Sequence, residues 1–164
     1  ENTAEHSWQI IILAQILDPY AKNNTEINLL RVIRMLSIHD LVEIDAGDTF
    51  LFDEEGMKGK FEREKLAAKK IFGSLDEPLS SEFYNLWIEF EEEETPDAIF
   101  ACAIDRMMPF ILNTYTSGKS WTEAGVTEKQ VRNMLENAIC RASDDMGDCF
   151  QLLMKKCFDE KKFS

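Results

Sequence analysis

Apolar residues recur at three- and four-residue spacing along nearly the whole chain, and no segment alternates apolar and polar residues over a useful length. The first pattern lines one face of a helix; the second would mark a half-buried strand. A chain written this way folds by packing helices on helices. The expected fold is therefore all-α, a single domain over residues 1–164 built as a bundle of about six or seven helices. At 164 residues with 45% hydrophobic residues, the chain is long enough to bury one real core and leaves little room for a second.

The spacing predicts a first helix from Thr3 to Tyr20, with Trp8, Ile11, Ile12 and Ile16 on or near one face. A second carries Ile27, Leu30, Ile33, Met35 and Ile38 and runs on to Glu43, with Asn23-Asn24-Thr25 offering its caps. Asp45-Ala46-Gly47-Asp48 is a turn signal, and Thr49–Lys58 reads as a loop. Lys60–Phe72 is an amphipathic, charge-laced helix stopped by Gly73, and Ser80 and Ser81 open a helix over Glu82–Glu93. Thr95-Pro96-Asp97 places an N-cap, a first-turn proline and an acid in order, starting a helix that reaches Tyr115. Ser117–Gly125 is read as a loop carrying Trp121. Thr127-Glu128-Lys129-Gln130 is a capping box that opens the last helical region, to Lys161, with a break at Gly147.

Charge narrows the function. Lys and Arg number 18 and Asp and Glu 31, a net charge of −13. That field repels polyanions, so a nucleic acid polymer or an anionic membrane surface is not an expected partner. A small anion met by a metal ion stays compatible with it. No run of ~18 apolar residues exists to span a membrane. The chain opens on Glu1 rather than methionine, so its natural start is expected to lie upstream. Cys102, Cys140, Cys149 and Cys157 form no C-x-x-C pair or zinc spacing; they are read as reduced, and the compartment as intracellular, the cytoplasm.

There are only two histidines, and each has an acid beside it: Glu5-His6 and His39-Asp40. A lone histidine on an amphipathic helix is ordinarily a surface or satisfied core residue. The constellation says more. Asp105, followed by Arg106, interrupts the apolar stretch Ala101–Ile111, where an aspartate must be paired, capped or metal-bound. Glu43 follows His39 by four, so a possible ligand and a possible proton acceptor share a helix face. Mixed imidazole and carboxylate donors suit a first-row divalent ion rather than calcium.

These residues fall in an ordered set of motifs. Glu1-Asn2-Thr3-Ala4-Glu5-His6-Ser7 resembles the E-N-x-A-E-H-S opening of the HD-domain phosphohydrolases. His39-Asp40-Leu41-Val42-Glu43 with Gly47-Asp48 resembles their H-D-x-x-E-x-x-x-G-D segment. Leu86-Trp87-Ile88-Glu89-Phe90-Glu91, Thr95-Pro96-Asp97-Ala98, Ile104-Asp105-Arg106, Tyr115 and Gly118-Lys119-Ser120-Trp121 resemble the later landmarks. The resemblance covers residues 1–126, with 127–164 as a C-terminal helical region, and is nearest to the 5′-deoxynucleotidase branch. It implies a divalent ion (cobalt, manganese, magnesium, iron or zinc) held by His6, His39, Asp40 and Asp105. Glu43 and Asp48 would work on the water or the leaving group, and Glu89 would contact the sugar, with Glu91 close by in register. It also implies a homodimer, a small nucleotide as substrate, and an upstream helix with a basic and an aromatic residue, which this chain starts after. Release of phosphate from a nucleoside 5′-monophosphate, with a deoxynucleotide as the first candidate, is the first functional expectation. The alternatives are another phosphoester or a nucleoside triphosphate as substrate, or a non-catalytic metal- or nucleotide-binding regulator.

Other features have plainer readings. Glu91–Glu94 is expected to be a solvated helix end. Lys60, Lys65, Lys69 and Lys70, interleaved with Glu62 and Glu64, read as salt-laced surface, although Lys58 or Lys60 lies near enough to Asp48 to reach a phosphate. Cys102 is expected to be a small buried residue, and Trp87 and Trp121 core or dimer contacts.

Overall fold

Thr95 accepts a hydrogen bond from the Ala98 N–H, and Pro96 follows at the first helical position, so the longest helix of the protein starts where the sequence says it should. The computed structural model describes residues 2–22, 26–53, 55–116, 118–160 and 162–163. Among these the regular structure is helical: α1 (Thr3–Leu17), α2 (Leu29–Ile38), α3 (Glu43–Ala46), α4 (Lys60–Phe72), α5 (Leu79–Glu92), α6 (Pro96–Tyr115), α7 (Lys119–Ala124), α8 (Glu128–Ala142) and α9 (Asp144–Asp159). The all-α expectation holds. The seven segments of ten residues or more match the expected helix number, and α3 and α7 are short additions.

α6 is the axis of the bundle. It buries Ala98, Phe100, Ala101, Cys102, Ala103, Ile104, Met107, Phe110 and Thr114, and packs against α1, α2 and α5 as well as against α8 and α9. The hairpin of α8 and α9 lies along it, and α4 packs on α5 and on the turns after α2. The buried apolar residues form one core cluster, which includes Trp87, Trp121 and Cys102 as expected. No helix among the described residues is long and apolar enough to cross a membrane.

Several local expectations need correction. The first helix stops at Leu17 and continues as a tight 3₁₀ turn, Asp18–Tyr20. Its buried residues are Ile10 and Ala14, while Trp8, Ile12 and Ile16 are exposed. α1 is apolar all round, so its periodicity selects no single face. The second helix does not run through to Glu43: at Ile38 it passes into a 3₁₀ turn, His39–Val42, and only then into α3. Its N-cap is Asn28, whose side chain accepts from the Arg31 N–H. The caps expected at Asn23–Thr25 lie outside the described residues, as do Glu1, Ser117 and Lys161. α5 begins at Leu79, earlier than expected. The break in the last helical region falls at Ser143, not Gly147. The Ser143 hydroxyl accepts from the Met146 N–H and caps α9. Gly147 lies inside α9, where a Cβ would come within 2.9 Å of Cys140 Sγ, so it is there to let α8 and α9 approach closely.

Candidate metal centre and active site

The proposed ligands reach one point from three elements. Asn2 and Glu5 form a reciprocal capping box that fixes the first turn of α1, which carries His6. The 3₁₀ turn after α2 carries His39 and Asp40, and α6 carries Asp105. Pro109, inside the same helix, has no N–H to give the Asp105 carbonyl, so one bond of the helix ladder is missing at the proposed ligand.

His6 Nε2 lies 2.9 Å from Asp105 Oδ1, and His39 Nε2 lies 3.2 Å from the same oxygen. Asp40 Oδ1 is 2.9 Å from His39 Nε2, and Asp40 Oδ2 is 3.9 Å from His6 Nε2. The donor atoms of His6, His39 and Asp105 all fall within 4.8 Å of one another. His39 Nδ1 sits 3.0 Å from the Leu36 carbonyl, which can only accept, so Nδ1 carries the proton. The Nε2 lone pair then faces two carboxylate oxygens, an arrangement that requires a cation between them. That cation is a proton or a metal ion. Ligands about 2.1 Å from an octahedral ion stand about 3 Å from each other, so the spacing fits a small divalent ion.

The groups show the same strain electrostatically. Burial works against the charge on Asp105, yet hydrogen bonds from His39 and His6 hold its carboxyl well below the usual carboxylate range. Burial likewise opposes the charged form of His39, and Asp105 and Asp40 override it, raising the imidazole well above its ordinary value. His6 is raised against burial mainly by Asp105.

This cluster lies in the wall of a cavity of about 580 Å³. Glu43 and Asp48 also line it, although the 3₁₀ turn means that Glu43 does not share a regular helix face with His39. Burial first, then Asp40 and Asp48, push the Glu43 carboxyl up to about 7. Glu89 does not line the cavity; it accepts hydrogen bonds from Arg31 and from Thr95 Oγ1. Glu91 lines it instead, because residues two apart on a helix point ~200° from each other.

The acid run is a solvated end only at Glu92 and Glu94, which are exposed. Glu91 is partly buried in the cavity wall, and burial first, then Glu64, push its carboxyl up to about 7. Glu93, at φ 50°, closes α5 and receives Arg106 and Arg141. Of the helix read as salt-laced surface, Lys69 and Lys70 are exposed, whereas Glu64 is buried and Lys60 is half-buried beside it. Lys60 Nζ is 3.1 Å from Glu64 Oε1, both line the cavity, and the Glu64 side chain is buried. Their four-residue spacing showed that they share a face, but only packing shows that the face turns inward. Lys58 instead pairs with Glu55 in the preceding turns.

A helical bundle that brings His6, His39 and Asp105 within 4.8 Å of one another, with Asp40 beside them, has the donor set of a metal-centred class of protein. The comparisons give the class its family. The HD domain profile matches residues 1–146, and the chain belongs to the HD domain family. A crystal structure described as "Predicted metal-dependent phosphohydrolase", from Magnetospirillum magnetotacticum MS-1, is 41% identical and superposes with a TM-score of 0.93 over all of this chain and 81% of that one. Among curated proteins, 5′-deoxynucleotidase HDDC2 of Danio rerio is 30% identical over 107 residues, 65% of this chain and 51% of the relative. The human protein of that name is 28% identical over 106 residues, 65% of this chain and 50% of its own. The chain spans about half the length of these curated relatives.

Proposed function

We propose that the protein is a metal-dependent phosphatase of nucleoside 5′-monophosphates, with deoxynucleotides as its first substrates. The observation that carries this reading is the convergence of His6, His39 and Asp105 donor atoms in the wall of a cavity large enough for a nucleotide. The similarity to the HDDC2 5′-deoxynucleotidases supports the substrate class.

In this reading His6, His39, Asp40 and Asp105 hold the ion. When bound, a divalent ion lowers the pKa of a coordinated water and polarises a phosphoryl oxygen. Glu43, with its proton affinity raised toward neutrality, takes the proton from the attacking water and is suited to return it to the leaving oxygen. Asp48, on the same wall, positions the water. The reading includes a homodimer and a cytoplasmic location, the first to be checked by sedimentation and the second by fractionation. Cobalt, manganese, magnesium, iron and zinc are the ions to compare.

The test is elemental analysis of the purified protein followed by phosphate release from a panel of deoxynucleoside and ribonucleoside monophosphates with each ion. Asp40→Ala is expected to lose ion and activity together. Glu43→Gln is expected to keep the ion and lose about 10²–10⁴-fold in rate. Normal metal content in Asp40→Ala would remove it from the ligand set. Nucleotide binding with no phosphate release under any ion would replace the hydrolase with a regulator. Release only from triphosphates or other esters would move the substrate class.

A further inference from the structure

The cavity extends in two directions from the histidine–aspartate cluster, and the two ends differ in what they leave open. Toward α7 and α8 its aromatic residues are Phe110 and Trp121. Both are buried, and their rings are taken up by partners: Phe110 lies 4.7 Å from Phe150, and Trp121 is stacked 5.2 Å from Phe163. The polar groups there are also engaged. Arg106 pairs with Glu93, and the Asn113 side chain binds Ser120 Oγ and the Pro109 carbonyl.

The other end is built from the segment after Asp48 and the first turns of α4. Phe50, Phe52 and Phe61 line it, and Phe50 is 44% and Phe61 41% exposed. Their rings pack on neighbours and stay partly exposed, with Lys65 Nζ lying 5.1 Å over the Phe61 ring. Phe50 and Phe52 sit 5.4 Å apart at 59°, and Phe61 is stacked 6.0 Å from the buried Trp87. Among the described residues lining the cavity, these are the aromatic rings that keep substantial exposed surface. Of the polar side chains beside them, Lys60 faces Glu64, Arg63 donates to the Lys58 and Gly56 carbonyls, and Lys65 lies over the Phe61 ring.

We propose that Phe50, Phe52 and Phe61 form the nucleobase subsite, a stacking wall that takes the planar face of any base while the phosphate lies at the histidine–aspartate cluster. The proposal rests on the nucleotide-phosphatase reading above. Exposed, braced rings continuous with a metal centre suit a flat aromatic ligand, since stacking on aromatic side chains needs no hydrogen-bond readout and tolerates every base. Because a stacking contact reads no hydrogen-bonding edge of the base, the bases are expected to differ little in KM.

The experiment compares a deoxynucleoside 5′-monophosphate with 2-deoxyribose 5-phosphate, which has the same phosphate and sugar but no base. In the metal-loaded protein, Phe50→Ala and Phe61→Leu should each raise the nucleotide KM by about fivefold or more and leave kcat and the KM for the sugar phosphate unchanged. Phe50→Trp should restore the nucleotide KM. Equal rises for both compounds, or no rise for either, would overturn the subsite. Equilibrium dialysis of the same two compounds reads the subsite separately from chemistry. If neither yields phosphate but the nucleotide alone binds more weakly to Phe50→Ala, the subsite stands and the phosphatase reading falls. Phe50 is chosen beside Phe61 because it is 44% exposed and lies outside the core cluster, so its truncation is expected to leave the fold intact.

Discussion

Glu91 shows how a single partly buried acid couples the site to stability. Its carboxyl is pushed up to about 7 from 4.5, chiefly by burial. Between those values the folded protein keeps a proton that the unfolded chain has released. The folded state is therefore favoured below about pH 4.5, and this contribution is lost as pH rises through about 7. In the metal-free protein, Glu91→Gln is expected to add about 1–3 kcal/mol of stability at pH 8 and almost nothing at pH 4. Denaturant melts at the two pH values measure this; an equal gain at both would show that the carboxyl is not strained. The same scale exposes a limit of linear reading. Glu89 and Glu91 are chemically identical in the sequence, yet one pairs with Arg31 and the other enters the cavity.

Helix ends were the most legible elements. Thr95 and Thr127 cap as their local sequences require, because a cap bonds residues two or three positions away. Ser143 escaped notice because it does two jobs. Its hydroxyl donates to the Tyr20 carbonyl at 2.6 Å and accepts from the Met146 N–H at 3.1 Å, and the residue is fully buried. Ser143→Ala orphans both groups and is expected to cost about 1–3 kcal/mol, lowering Tm by about 2–4 °C per kcal/mol in a domain of this size. A calorimetric scan that finds no change would mean that the Tyr20 bond contributes nothing. The face of α1 was not legible, since apolar residues surround that helix and only its neighbours decide which of them are covered.

For the molecule as a whole, the metal centre acts as a clamp. Its proposed ligands belong to α1, the turn after α2, and α6, and the contact between His6 and Asp105 closes a separation of 99 residues. An ion bound only by the folded state, at about 100 times its Kd, contributes about 2.7 kcal/mol. Tm is then expected to rise by about 5–10 °C with cobalt or manganese. His39→Ala should abolish that rise. A variant that kept the full shift would place the ion elsewhere.

Sequence alone determined the helical class, most helix boundaries and the chemical identity of the proposed ligands, because periodicity, capping and donor type are fixed by each residue and its near neighbours. Tertiary structure decided which face of α1 is covered, which glutamate of the acid run lines the cavity, and that Lys60 and Glu64 point inward. It also decided that the phenylalanines after Asp48 stay open to the cavity. These outcomes depend on contacts between helices distant in the chain, where packing and burial, not local propensity, set the orientation and charge of a side chain.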